Sequence, residues 1–333
     1  MEDIRLEAEW ESKLSSLGWS QEACTYYCKS LATSSIREYN RKLTLFKNYC
    51  TNSGTEDLSG SEAVGLIPSF LISIAKKSER PDSALRTCTA ALQHFYVARA
   101  NLDPINQNIH RLIKGLVRGE TNRPREQTKS MPVEPFIKLF SKWGDNDSLT
   151  IAKLRQKAIT LISLSALCRP SDLAPESIFK RSQIQFDEKG LNITFFGIKN
   201  DSRREGFKVF IAKSAVPSVD PVLTLKCYLE RTKNMVPKHD PVFVTVSNPI
   251  KQMSPQSVSR VLNDTIREAG LPRDYTARCF RVTGAQTAIA HGANTQAIKQ
   301  LGRWRSEEVM WNHYCPITKY ENITDTILFS NKS

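Results

Sequence analysis

Four clusters of reactive side chains stand in order along the second half of this 333-residue chain. The first is Cys168-Arg169-Pro170-Ser171-Asp172-Leu173, which follows a long apolar stretch. An acid three residues after an arginine can hold its guanidinium in place. The second is Gly197-Ile198-Lys199-Asn200-Asp201. A lysine at a hairpin tip can swing into a groove and give up a proton. The third is Arg278-Cys279-Phe280-Arg281 near the start of a helix; i, i+3 spacing puts both guanidiniums on one face, which suits a phosphate. The fourth runs from Leu301-Gly302-Arg303-Trp304-Arg305-Ser306 to Trp311-Asn312-His313-Tyr314. Taken singly, each also fits an ordinary surface pair, a solvated turn, a basic helix face or a packed aromatic.

Charge narrows the choice. The chain carries 47 Lys and Arg against 34 Asp and Glu, a formal net charge of +13. Residues 1–130 hold 18 basic and 15 acidic side chains, so most of the excess lies beyond them, where the reactive residues are. A polyanion is the expected partner, nucleic acid before a membrane surface. No run of 18 apolar residues predicts a membrane span, and from the acidic start, with no basic or apolar run, a secretory signal is not expected. Eight scattered cysteines include no CxxC pair and no zinc-ligand spacing with His, as expected for free thiols in a reducing compartment. Cys24 and Cys28 can share one helix face.

These residues need a scaffold. Helical periodicity predicts helices over residues 4–17, 34–49, 68–76, 83–100 and 107–117, with Ser34 or Ser35 as a cap and Pro68 in a first turn. Residues 119–132 are polar and basic with two prolines, and read as a linker, either a strap over a phosphate backbone or a solvated hinge. Helices are expected again over 133–143 and 149–167. The period then shortens, and 183–186, 191–196 and 208–212 read as three short strands. Helices resume over 222–232, 255–269, 276–291, 295–301 and 307–313. The fold class is mainly α with a small antiparallel sheet (α+β): a helical domain over 1–118, the linker, and a second domain over 133–333.

The ordered set Arg…Lys…Arg-x-x-Arg…Gly-x-Trp…Tyr spans about 145 residues and resembles the tyrosine recombinase (integrase) family. The forms Cys-Arg-Pro-Ser-Asp-Leu and Gly-Arg-Trp-x-Ser are similar to recombinases of eukaryotic mobile elements, the DIRS, Ngaro and Crypton groups. The resemblance covers roughly residues 20–320. It implies a helical core-binding domain and a catalytic domain that hold duplex DNA between them. It implies that Arg169 and Arg281 clamp the scissile phosphate, that Asp172 orients Arg169, and that Lys199 protonates the 5′-hydroxyl leaving group. Trp304 would touch the phosphate through its indole N–H. Tyr314 would be the nucleophile, giving a 3′-phosphotyrosyl link that preserves the bond energy for rejoining. No metal and no cofactor are expected, since fixed guanidiniums can take the place of cations.

Two departures accompany the resemblance. Arg278 stands where the family usually has His. Tyr314 follows Trp304 by ten residues rather than nine, which leaves His313 at the usual spacing; one extra helical residue turns a side chain by about 100°. His313 is a candidate local base, and Tyr320 a second-choice nucleophile. Arg123, Arg125, Lys129, Arg203, Arg204, Arg303 and Arg305 are the expected DNA contacts. The resemblance further implies a tetramer on two DNA sites and a nuclear location; residues 317–329 read either as the segment that joins the protomers or as one that folds back on its own domain. The expected function is site-specific recombination for a mobile element. A catalytically silent DNA-binding descendant and a type IB topoisomerase-like enzyme are the alternatives.

Overall fold

The computed structural model describes residues 4–120, 128–175, 179–199, 201 and 203–314. The chain divides into two compact units, Met1–Arg125 and Glu126–Ser333. Residues 121–127 of the 119–132 segment, with Arg123 and Arg125, and residues 317–329, with Tyr320, lie outside the described residues, as does the side chain of His313.

The first unit is helical: α1 (Leu6–Ser16), α2 (Gln21–Cys28), α3 (Thr33–Asn52), α4 (Ser61–Lys77), α5 (Pro81–Ala100) and α6 (Gln107–Glu120). α5 is its centre. Leu85, Cys88, Leu92, Phe95 and Tyr96 are all buried, and the helix packs against α1, α3, α4 and α6. Residues buried on several faces leave α5 with little amphipathic contrast, as a central helix requires. Pro68 is not in a first turn. It lies inside α4, which starts at Ser61 because Ala63 and Ile67 extend the buried stripe of Phe70, Leu71 and Ala75 toward the N-terminus. The lost backbone bond at Pro68 is outweighed by this burial. Ala32, not Ser34 or Ser35, is the N-cap of α3. α2 was not anticipated; it buries only Cys24 fully and so has no readable stripe.

The second unit has its own core, built around α8 (Ile151–Ser165), with α7 (Glu134–Trp143) before it. Leu154, Ala158, Ile159 and Ile162 are fully buried where α8 meets its neighbours. A four-residue helix, α9 (Pro170–Leu173), follows. Then come β1 (Ile184–Phe186), β2 (Gly190–Phe195) and β3 (Phe207–Ala212), an antiparallel meander in that order. Leu191, Ile193 and Phe195 of β2 are buried, and Leu191 pairs with Ile211 and Ile193 with Val209, which are buried too; the two-residue period seen in the sequence is this face. Gly190 is required there, because a Cβ would collide with the Ile211 carbonyl. The chain ends its described course in α10 (Pro221–Arg231), α11 (Pro255–Glu268), α12 (Cys279–Ala290), α13 (Thr295–Gly302) and α14 (Glu307–Tyr314). α8 packs against α10, α11 and α12. Among the described residues no helix is long and apolar enough to cross a membrane, and no group of His, Cys, Asp and Glu could hold a metal ion.

Candidate active site

α8 ends in an abrupt turn. Ala166 caps it, and Leu167 adopts a left-handed conformation (φ 49°), a rare choice for a residue with a branched side chain. The carbonyl oxygens of Ala166 and Leu167 are thereby left to accept from outside the helix. Two arginines take them. Arg281 Nη1 donates to Leu167 O at 2.5 Å, and its Nη2 donates to the Gly302 carbonyl. Arg303 Nη1 donates to Ala166 O at 3.0 Å and Nη2 to Leu167 O at 3.3 Å. Cations are favoured at a helix C-terminus, where the unpaired carbonyls and the dipole are both negative.

Asp172 completes the arrangement from α9. It is fully buried. Its Oδ2 accepts from Arg303 Nη2 at 3.1 Å and from the Arg169 backbone N–H at 2.9 Å, and lies 3.7 Å from Arg281 Nη1. Arg169, the residue that opens α9, brings its Nη1 within 4.0 Å of Oδ1. One carboxylate therefore faces three guanidiniums, and the site keeps an excess of two positive charges.

Arg303 corrects an expectation. It is not a DNA contact: its side chain is wholly inaccessible, paired with Asp172 and stacked over Phe195 with 4.4 Å between guanidinium and ring centre. Like Leu167 it is left-handed (φ 56°), closing α13 just past Gly302. Gly302 is needed because a Cβ would sit inside the Trp304 ring. Asp172 is expected to orient Arg169, but of the three guanidiniums it is that of Arg303, not that of Arg169, that comes nearest to the Asp172 carboxylate.

Trp304 packs on Arg281, with 4.4 Å from guanidinium to ring centre. Tyr314, at the end of α14, meets both: 4.8 Å between the Trp304 and Tyr314 rings, and 5.2 Å from Arg281 to the phenol ring. Gln286 of α12 donates to the Tyr314 carbonyl at 3.0 Å and anchors this end of α14. The ten-residue interval after Trp304 therefore still brings Tyr314 to the arginines. Arg169, Arg281, Trp304 and Tyr314 form one cluster. Arg278 is exposed where Arg281 is buried. It precedes α12 as an exposed residue, while its neighbours Ala277, Cys279 and Phe280 turn inward, so the two guanidiniums of Arg-x-x-Arg do not share one environment. Lys199 lies exposed beyond β2 and makes no hydrogen bond or ion pair among the described residues.

Electrostatics follow the geometry. Burial, reinforced by the like charge of Arg169, pulls Arg281 down to about 10. Burial pushes the Tyr314 phenol up, but the positive charges of Arg281 and Arg169, with N–H groups of Arg169 and the Trp304 indole close by, outweigh it; the net direction is down. Burial drives the Cys168 thiol beside them up to about 11, leaving it protonated and inert. A phenol whose folded value lies below its unfolded one adds stability only at alkaline pH, fully above the unfolded value, and loses it as pH falls through the folded value. Tyrosinate absorbance near 295 nm checks this. The difference between wild type and Tyr314→Phe should titrate below the ordinary value of 10, and Arg169→Gln should move it upward.

Several buried donors here have no hydrogen-bond acceptor: Arg169 Nη1, Arg281 Nε and Trp304 Nε1. Buried donors are seldom left so, and three around one tyrosine describe a place for an anionic oxygen ligand. Away from this cluster, Arg203 and Arg204 are exposed on the β2–β3 loop and Arg305 is exposed beside Trp304. Lys129 is exposed but pairs with Asp274 at 2.9 Å. α11 also carries a polar groove lined by Gln256, Arg260, Asn263 and Arg267, whose i, i+4, i+7, i+11 spacing is its signal in the sequence.

A family model described as the phage integrase family matches residues 145–320, the segment that carries every member of the cluster. No curated protein matches the chain in sequence. Solved structures do match the fold. The XerH site-specific recombinase bound to its difH substrate in a pre-cleavage complex aligns with a TM-score of 0.61 at 12% identity, over 99% of this chain and 90% of that one. The Tn1549 transposon integrase in complex with transposon right end DNA aligns with a TM-score of 0.59 at 10% identity, over 98% and 100%. These likenesses establish the tyrosine recombinase fold, and with a family match across more than half its length the chain belongs to the phage integrase family.

Proposed function

We propose that this protein is a site-specific DNA recombinase that cuts and rejoins strands through Tyr314. The observation that carries the reading is the set of unpaired buried donors on Arg169, Arg281 and Trp304 around that phenol. The phenolic oxygen gives its proton to solvent water, which the lowered phenol pKa favours, and attacks the phosphorus. The P–O5′ bond breaks, and the 5′-oxygen takes a proton from the Lys199 ammonium. Arg169 and Arg281 neutralise the charge that grows on the non-bridging oxygens, without reorganising as they do so. The product is a 3′-phosphotyrosyl link and a free 5′-hydroxyl, and the reverse steps rejoin a strand without ATP.

Arg278, exposed at the start of α12, contacts the phosphate backbone rather than accepting a proton. Arg203, Arg204 and Arg305 add further phosphate contacts. Motif forms ally the chain with mobile-element recombinases of the DIRS, Ngaro and Crypton groups, which supports an integration and excision role, a nuclear location, and a tetramer on two DNA sites. The XerH recombinase and the Tn1549 integrase were both solved with DNA. The exposed Arg278, in place of a titratable histidine, also keeps open a non-cutting DNA-binding descendant.

The deciding experiment uses duplexes selected by binding from a randomised pool, rebuilt with a nick beside each candidate scissile phosphate. In buffer containing EDTA, wild-type protein should accumulate a covalent adduct. Tight binding with no adduct at any nick position would leave only the DNA-binding reading. Affinity should also fall by roughly a thousandfold between about 50 and 200 mM salt if six or more phosphates are contacted. A flat response in a binding titration contradicts the basic surface.

A further inference from the structure

Asp201 is unusual for a loop residue. The β2–β3 connection is exposed and charged at Lys199, Arg203, Arg204 and Glu205, yet Asp201 is only 6% accessible. Its carboxylate accepts three backbone N–H groups: Oδ2 from Gly197 at 3.0 Å and Gly206 at 3.1 Å, and Oδ1 from Glu205 at 2.8 Å. Gly197 lies just beyond the end of β2, and Gly206 just before β3. A single side chain thus ties together the two feet of the loop. The main chain adds to this. Asp201 N–H donates to Ile198 O at 2.8 Å, closing a turn with Lys199 inside it, and Arg204 N–H donates to Asp201 O at 3.1 Å. Lys199 therefore stands between two buried anchors, Ile198 and Asp201, with its own side chain exposed.

All of these partners belong to the segment from Gly197 to Gly206. The carboxylate does not serve the hydrophobic core; it serves the shape of the loop. Ionised acids accepting several backbone N–H groups make strong hydrogen bonds. Without them a ten-residue connection is free to sample many shapes. The feature whose position this shape determines is Lys199.

We propose that Asp201 is a positioning residue for Lys199, fixing the loop so that the ammonium meets the 5′-oxygen as the P–O5′ bond breaks. This rests on the reading of Lys199 as the general acid. In that step the electron pair of the broken bond goes to O5′, the proton moves from Lys199 Nζ to O5′, and a neutral amine remains. A substrate with sulfur in place of the bridging 5′-oxygen removes the need: the P–S bond breaks and the sulfur departs as a thiolate with no proton supplied.

The test compares full-length wild type, Asp201→Asn and Lys199→Ala on nicked substrates with either 5′-oxygen or 5′-sulfur at the scissile linkage, reading the rate of covalent adduct formation. Asp201→Asn should slow the oxygen substrate by about 10- to 100-fold. It should react with the sulfur substrate within about threefold of wild type. The sulfur-to-oxygen ratio comes from one preparation, so a misfolded fraction cancels. Equal losses on both substrates, or no loss on oxygen, overturn the proposal while leaving the recombinase reading intact. If Lys199→Ala itself gains nothing from sulfur, the lysine is not the acid and the proposal falls with that assignment. Absence of adduct from wild type on both substrates is the separate failure of the recombinase reading.

Discussion

Tyr314→Phe should eliminate the covalent protein–DNA adduct while DNA affinity stays within about threefold of wild type. The substitution removes one oxygen and keeps the ring that packs on Trp304 and Arg281, so the cluster holds its shape. Its hydroxyl is the one whose titration Arg281 and Arg169 together lower. A group that forms the covalent bond has no partial substitute, so adduct formation should drop below detection, a loss of at least about 10³-fold. The measurement is a denaturing gel of labelled nicked duplex beside a binding titration at the same salt. Adduct persisting in the variant would transfer the nucleophile's role elsewhere, with Tyr320 the first to examine.

Asp172→Asn should be the most damaging conservative change to stability in the second unit. It keeps size and removes the only carboxylate among three guanidiniums, two of which, Arg281 and Arg303, are almost wholly inaccessible. Breaking a buried charge network by deleting one partner costs about 3–5 kcal/mol. For a unit of this size that corresponds to a drop in melting temperature of roughly 10 °C. Arg303→Met should cost less, because Asp172 retains Arg281 and Arg169. The double variant should be less destabilised than the sum of the two, since removing Arg303 relieves the like-charge crowding that Asp172→Asn leaves behind. Thermal unfolding followed by circular dichroism checks all three. Strict additivity would mean that the 3.1 Å contact carries no coupling.

The sequence made the scaffold legible wherever a face is buried. The stripe in α3 and the two-residue alternation in β2 both appeared as periodicity, because burial selects residue type one side at a time. α2 and α9 escaped because one buries little and the other is a single turn. At the site, residue order along the chain identified Arg169, Arg281, Trp304 and Tyr314, and these do converge. Arg303 is where charge patterning misleads. Charge patterning assumes that arginine faces solvent and that neighbours on a helix share an environment. Burial of Arg303 depends on carbonyls more than 130 positions away and on a left-handed residue at its own position. Nothing local encodes that meeting. The carboxylate of Asp201 is a similar case, since its bonds to Gly197, Glu205 and Gly206 come from the path of the loop rather than from any pattern in it.

The suspension of Arg281 and Arg303 from the last carbonyls of α8 has a mechanical consequence. The helix at the middle of the second core is also the bracket for the guanidiniums, so wear in the core is transmitted to the chemistry. A methyl trimmed from Ile162, one turn before that end, would be absorbed by folding with little loss, yet it would let the bracket sag by fractions of an ångström. Tolerance to drift in α8 is therefore set by alignment of the reacting groups before it is set by whether the protein folds.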